Sequence, residues 1–113
     1  MKKFLAAVMC SALTLSSQVV AAEEKPVAIV IHGGAGTILK KNFTPELEKA
    51  YKDTLSEAAK AGYALLEQGE PGEKAVIAAI QILETSPLFN AGIGAVYTWE
   101  GEHELDASLM HGG

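Results

Sequence analysis

The 113 residues, 49% of them hydrophobic, allow one domain at most. Nine lysines stand against 14 acidic residues for a net charge of −5, and that sign argues against nucleic acid as a partner. A mean hydropathy of +0.17 suggests a rich core, but much of the apolar content sits in the first 22 residues.

Those residues have the three parts of a secretory leader: Lys2 and Lys3, an apolar stretch from Phe4 to Leu15, and a small, polar run ending in Val20-Ala21-Ala22. The apolar stretch is shorter than the roughly 20 residues that span a bilayer, and Glu23-Glu24-Lys25-Pro26 follows at once, so cleavage after Ala22 is expected and no membrane anchor remains. The product is expected to be periplasmic or secreted. Cys10 departs with the leader, so the mature chain has no disulfide to rely on. Removing 22 residues from 113 leaves 91, with seven lysines against fourteen acidic residues. A domain of that size buries only about 60 to 65% of its unfolded surface, marginal for helices covering a sheet.

Val27 to Ile31 is a continuous, mostly β-branched run between Pro26 and Gly33, which predicts a strand buried on both faces. His32-Gly33-Gly34-Ala35-Gly36 follows as a glycine-rich turn, with His32 expected to be buried and to close the strand end. Thr44-Pro45-Glu46 then starts a helix: a capping hydroxyl, a proline where a missing N–H costs nothing, and a carboxylate that suits the dipole. Leu47, Tyr51, Leu55, Ala58, Gly62 and Leu65 repeat at helical spacing up to a stop at Gly69. Gly62 costs about 1 kcal/mol relative to alanine in mid-helix, which points to close packing there. After Pro71-Gly72 a second helix is expected to bury Val76, Ala79, Ile80 and Leu83 before Ser86-Pro87 ends it. Phe89-Asn90-Ala91-Gly92-Ile93-Gly94 reads as a loop of constrained backbone. Ala95 to Trp99 and Glu104 to Met110 flank Glu100-Gly101 as two strands of a hairpin, with Leu105, Ala107 and Leu109 on the buried face. The elements together predict an α/β (α+β) fold.

Several residues are candidates for chemistry. The spacing of His32, Gly33, Gly34 and Gly36 matches neither the dinucleotide fingerprint nor the P-loop, which argues against a phosphate site. It also resembles the His-Gly-Gly oxyanion loop of α/β-hydrolase esterases, although the Gly-x-Ser-x-Gly elbow is absent. A tight turn with no chemical role is the bland alternative. His103, Asp106 and His111 are metal-ligand types, but alternation along a strand does not bring them to one face.

Three separated segments are more informative jointly. Ile31 to Gly36, Ser86 to Thr98 and His103 to Met110, in this order and with two helices between, closely resemble the start of the plant-type asparaginase and isoaspartyl peptidase family. The resemblance runs from about Val27 to the last residue and covers about the first third of a family precursor. It implies an N-terminal-nucleophile hydrolase of αββα architecture, of which residues 23–113 form the N-terminal, incomplete portion of the α-subunit. Such precursors cut themselves to expose a threonine whose free amine serves as base for its own hydroxyl. By resemblance that threonine, the oxyanion donors and the substrate clamp lie past Gly113, so no catalytic residue is expected in this chain and the chain alone is expected to be inactive.

What the resemblance carries onto this chain is limited. Asn90 matches an asparagine adjacent to the active site, with a turn that merely satisfies its own loop as the competing reading. No cofactor is implied for catalysis, but a structural sodium ion is, held by the backbone carbonyls of Leu83, Glu84, Ser86, Phe89, Ala91 and Ile93, a ligand type suited to a hard cation. Ser86 and His111 depart from residues common in the family. The implied partners are asparagine or an isoaspartyl dipeptide in the complete protein, and the remaining C-terminal portion or β-subunit. A non-catalytic chain that docks onto a separately encoded remainder, and the start of an esterase, are the alternatives.

Overall fold

A computed structural model describes residues 26–34 and 40–112; the expected leader, residues 1–22, and Gly36 lie outside them. Helix α1 spans Pro45–Glu67 and helix α2 spans Gly72–Glu84. Thr44 caps α1: its Oγ1 accepts the N–H of Leu47 at 3.2 Å, with Pro45 next in the chain. The other end closes with two backbone bonds, Gly69 N–H to the Leu66 carbonyl and Glu70 N–H to the Leu65 carbonyl, both at 3.0 Å. This reversal needs a left-handed residue after the cap, and Gly69 supplies it with φ of 76°.

The short connection folds α2 back along α1. Gly62 of α1 lies against the Ala75 carbonyl of α2, while Ala58 joins Ala79 and Leu83 farther along. Small residues on both sides therefore set a close seam. Phe89, from the loop beyond α2, completes the buried cluster, with Tyr51 and Leu55 of α1, Ile82 of α2, and Ile29 and Ile31 packed around it. The Phe89 ring meets Tyr51 edge to face, centroids 5.4 Å apart, a favoured aromatic arrangement.

The seam corrects the expected face of α2. Ala75, Ala79 and Leu83 are buried, whereas Val76 is 38% and Ile80 49% exposed. A backbone approach as close as that at Gly62 excludes β-branched side chains, so α2 presents its alanines to α1 instead.

The expected strands are also corrected. Residues 27–31 join no sheet among the described residues; Ile29 and Ile31 pack against the helices, and Val30 is 93% exposed. The helices cover one face of this segment, and no described strand pairs with its edge or covers the other. The hairpin forms only its turn: Thr98 N–H donates to the Glu102 carbonyl at 2.7 Å and Gly101 N–H to the Thr98 carbonyl at 3.1 Å, with Gly101 at φ of 82°. The flanking residues make no ladder, and Leu105 and Leu109 stay exposed because no described layer lies against them.

A Cβ at Gly62 would sit 2.4 Å from Ile29 Cδ1 and 2.8 Å from the Ala75 carbonyl oxygen, which belongs to rigid backbone. Gly62→Ala is therefore expected to lower unfolding stability by about 1–3 kcal/mol in urea, despite alanine's better helix propensity. Gly72→Ala, where a Cβ meets nothing, should be neutral or stabilising, and equal effects at both positions would refute the close seam.

Glu46 titrates below the usual glutamate range because its own backbone N–H, and then the Thr44 hydroxyl, bond its charged form. A depressed carboxylate pKa contributes stability above the unfolded value and loses it as pH falls through the folded one. Carbon-detected NMR titration should place the Glu46 midpoint below that of a free glutamate and show Thr44→Ala moving it back up. No movement in that variant would contradict the capping geometry.

Candidate functional site

The turn after residue 31 is built on its own histidine. His32 Nδ1 accepts the Gly34 N–H at 3.1 Å, and Gly34 adopts φ of 103°. The imidazole is exposed rather than buried, because the bond holds it over the turn and away from the helices. It closes the turn that follows residue 31. The Gly34 N–H is used by this bond and is not offered to an anion. A Cβ on Gly33 would lie 3.2 Å from Leu55 Cδ2 and 3.5 Å from Phe89 Cε1, so the turn and the loop carrying Phe89 are neighbours in space. Two of the three segments singled out in the sequence thus meet at Phe89.

The loop after α2 folds on itself through its carbonyls. Ser86 N–H donates to the Leu83 carbonyl at 3.2 Å, Ala91 N–H to that of Phe89 at 2.8 Å and Gly94 N–H to that of Ala91 at 3.0 Å. Gly92, at φ of 51°, lies so close to the end of α2 that a Cβ would sit 2.2 Å from the Glu84 carbonyl oxygen. A Cβ on Gly94 would sit 2.2 Å from the Phe89 carbonyl oxygen and 3.0 Å from that of Ser86. The carbonyl oxygens of Ser86 and Phe89 therefore both lie close to Gly94, and that of Glu84 lies close to Gly92. Carbonyl oxygens are the ligand type a hard cation takes, and those of Leu83, Phe89 and Ala91 that accept an N–H each keep a second lone pair. Ile93 is exposed within the 3-10 turn Gly92–Gly94.

Asn90 is exposed and bridges the loop: its Oδ1 accepts the Val96 N–H at 2.9 Å. The bond reaches six residues forward, so it is a strut across the loop rather than the two-residue Asn turn considered from sequence. An open cleft of about 730 Å³ lies beside it, lined by Asn90, Glu84, Thr98, Glu104 and Asp106 among others. Thr98 Oγ1 accepts the Glu102 N–H at 3.3 Å, which ties this hydroxyl to the turn. The described residues of the cleft can bind and orient, but they pair no nucleophile with a base.

His103, Asp106 and His111 are not brought together. His103 stacks on Tyr97 with centroids 4.3 Å apart, and His111 Nδ1 contacts Glu73 Oε1 at the start of α2. Glu73 is held below the usual glutamate range, first by its own backbone N–H and then by His111. Among the described residues no three His, Cys, Asp or Glu side chains form a metal cluster. The His111–Glu73 contact and the Asn90–Val96 strut were not visible in the sequence. The first joins residues 38 positions apart, and the second depends on a loop shape that spacing does not reveal.

Comparison with known proteins bears on the same segments. A family model described as Asparaginase matches residues 24–113. The chain is 50% identical over 84 residues to an isoaspartyl peptidase of Salmonella typhimurium, covering 74% of this chain and 27% of that protein. It is 46% identical over 84 residues to the isoaspartyl peptidase of Escherichia coli, with 74% and 26% covered. Against a plant-type L-asparaginase of Pyrococcus abyssi it is 44% identical over 86 residues, with 76% and 27% covered. The chain spans about a quarter of the length of these curated relatives. With a family model matched over residues 24–113, most of its length, the chain belongs to the Asparaginase family.

Proposed function

We propose that residues 23–113 open the α-subunit of an exported hydrolase that cleaves the side-chain amide of asparagine or the isopeptide bond of isoaspartyl dipeptides. The family match over residues 24–113, with relatives named isoaspartyl peptidase and plant-type L-asparaginase, carries this reading. Membership of that family speaks against the esterase alternative for the His32 turn. The nucleophile is a threonine outside the 113 residues, freed by self-cleavage. Its α-amine takes the hydroxyl proton, the oxygen attacks the amide carbonyl, and ammonia or an amino acid leaves with the proton. Water then attacks the acyl-enzyme and releases aspartate. Buried N–H donors supplied by the rest of the protein hold the developing oxyanion.

This chain contributes support to that machinery. Asn90 stands beside the reacting groups, and the carbonyls of Leu83, Glu84, Ser86, Phe89, Ala91 and Ile93 hold a sodium ion that fixes the loop without entering the chemistry. The gathering of the Glu84, Ser86 and Phe89 carbonyl oxygens around Gly92 and Gly94 supports that assignment. Residues 27–31 and the two segments flanking the Thr98–Glu102 turn become strands of an αββα sandwich. Ile29 and Ile31 facing the helices, with Val30 on the opposite side, is the arrangement an inner strand requires. Residues 1–22 direct export and are cut after Ala22, leaving the mature protein in the periplasm.

The test compares two polypeptides. The complete, self-cleaved protein should release ammonia from asparagine or leucine from isoaspartyl-leucine, whereas residues 23–113 alone should release neither. Turnover by residues 23–113 unaided, or none by the complete protein on either substrate, would overturn the proposal.

A further inference from the structure

Residues 104–112 carry a contact that the proposed reaction does not use. The segment begins beside the end of α2, where Glu104 and Asp106 share a cleft with Glu84, and finishes at the start of the same helix, where His111 Nδ1 meets Glu73 Oε1. It therefore returns past α2 from one end to the other. Among the described residues no backbone hydrogen bond reaches it, so the His111 side chain is what ties its far end to the helix pair.

The contact also selects a register. Side chains alternate along a strand, which puts His111 on the side of Leu105, Ala107 and Leu109 and opposite Met110. Met110 is 94% exposed against 55% for Leu109, the difference that such an alternation gives. A slip of one residue would bring Met110 or Gly112 to Glu73, and neither has a side chain that can pair with a carboxylate.

We infer that the His111–Glu73 contact is a pH-sensitive pin, which fixes the register in which residues 104–112 return past α2 and holds harder when the imidazole is protonated than when it is neutral. An imidazolium faces Glu73 as a charge partner, whereas a neutral imidazole is only a hydrogen-bond partner. The neighbouring charges are engaged elsewhere. Lys74, next to Glu73 on α2, bonds Glu70 at 2.8 Å. On α1, Lys60 and Glu67 line a groove with Ile29 and Tyr63, and on the segment itself Glu104 and Asp106 lie at the other end. The start of α2 is the positive end of its dipole, which disfavours an imidazolium there unless a carboxylate such as Glu73 faces it.

The sign of the pH dependence follows. Glu73, held low first by its own backbone N–H and then by His111, keeps its charge into the acid range. Both partners are charged from there up to the range in which imidazoles lose their proton, about pH 6.5, and the charge attraction fades as pH rises through it. Neither residue enters the reaction, so the pin stands or falls separately from the functional reading above.

A double-mutant cycle in the complete protein tests the pin, with Glu73→Gln, His111→Asn and both together, read by calorimetry at about pH 5.5 and about pH 8.5. At the lower pH each single variant should melt roughly 1–2 °C below wild type, and the double variant no lower than the weaker single, because the second change removes nothing further. At the higher pH the coupling should fall to about half or less. Coupling seen only in amide exchange over residues 109–112 would support the pin as a local one. Additive changes in both measurements at the lower pH, or coupling of equal size at both, would overturn it.

Discussion

The arrangement of this chain depends on backbone carbonyls approaching glycines more closely than any side chain would permit. At the seam, the Ala75 carbonyl occupies the space that a Cβ on Gly62 would need. In the loop, the carbonyls of Glu84 and Phe89 do the same at Gly92 and Gly94. The first contact fixes how α2 lies along α1, and therefore where α2 ends. The second folds the chain back onto that end, so that Phe89 enters the core and Asn90 is left at the rim of the cleft.

Energetically the described region is a small cluster held by shape rather than by size. Its buried side chains are three alanines, one leucine and one phenylalanine, with larger groups such as Tyr51 and Ile29 only partly covered. Alanine and glycine contribute little transfer free energy themselves, but they let the backbones approach and so bring many weak contacts into range. Val30, Ile77, Trp99 and Leu105 remain at the surface. The exposed ion pairs Lys49–Asp53 and Lys52–Glu48 lie one turn apart on α1, and Lys74–Glu70 ties α2 to the connection before it; each is worth a few tenths of a kcal/mol.

Local chemistry was legible in the sequence wherever one or two residues decide the outcome. Thr44 caps, Pro45 starts α1, Gly69 stops it, and Gly101 turns the chain at φ of 82°, each because a single covalent feature selects the conformation. Gly62 was also readable, since a mid-helix glycine is costly without a neighbour that needs the space. The face of α2 was not. Val76 and Ile80 outrank alanine in hydrophobicity, and only the closeness of the seam reverses that preference. The strands were expected from β-branched runs, yet a strand is defined by its partner, and the described residues give Val27 to Ile31 helices on one side and no neighbour at its edge. At the site, jointly specific segments identified the family, and Asn90 was marked by resemblance. The bond from Asn90 to Val96 escaped because it depends on a turn whose shape no periodicity encodes.

Gly92 and Gly94 let the carbonyl oxygens of Glu84, Ser86 and Phe89 crowd into one loop, and the proposed sodium ion is what that loop would hold. The most direct test is thermal unfolding of the complete protein in sodium chloride against choline chloride at equal ionic strength, for the wild type and for Gly94→Ala. A ligand bound only by the folded state raises the melting temperature. The wild type should melt higher in sodium, and Gly94→Ala should melt lower than wild type and respond equally to both salts. Identical wild-type melting in the two salts, together with full stability of Gly94→Ala, would contradict the account.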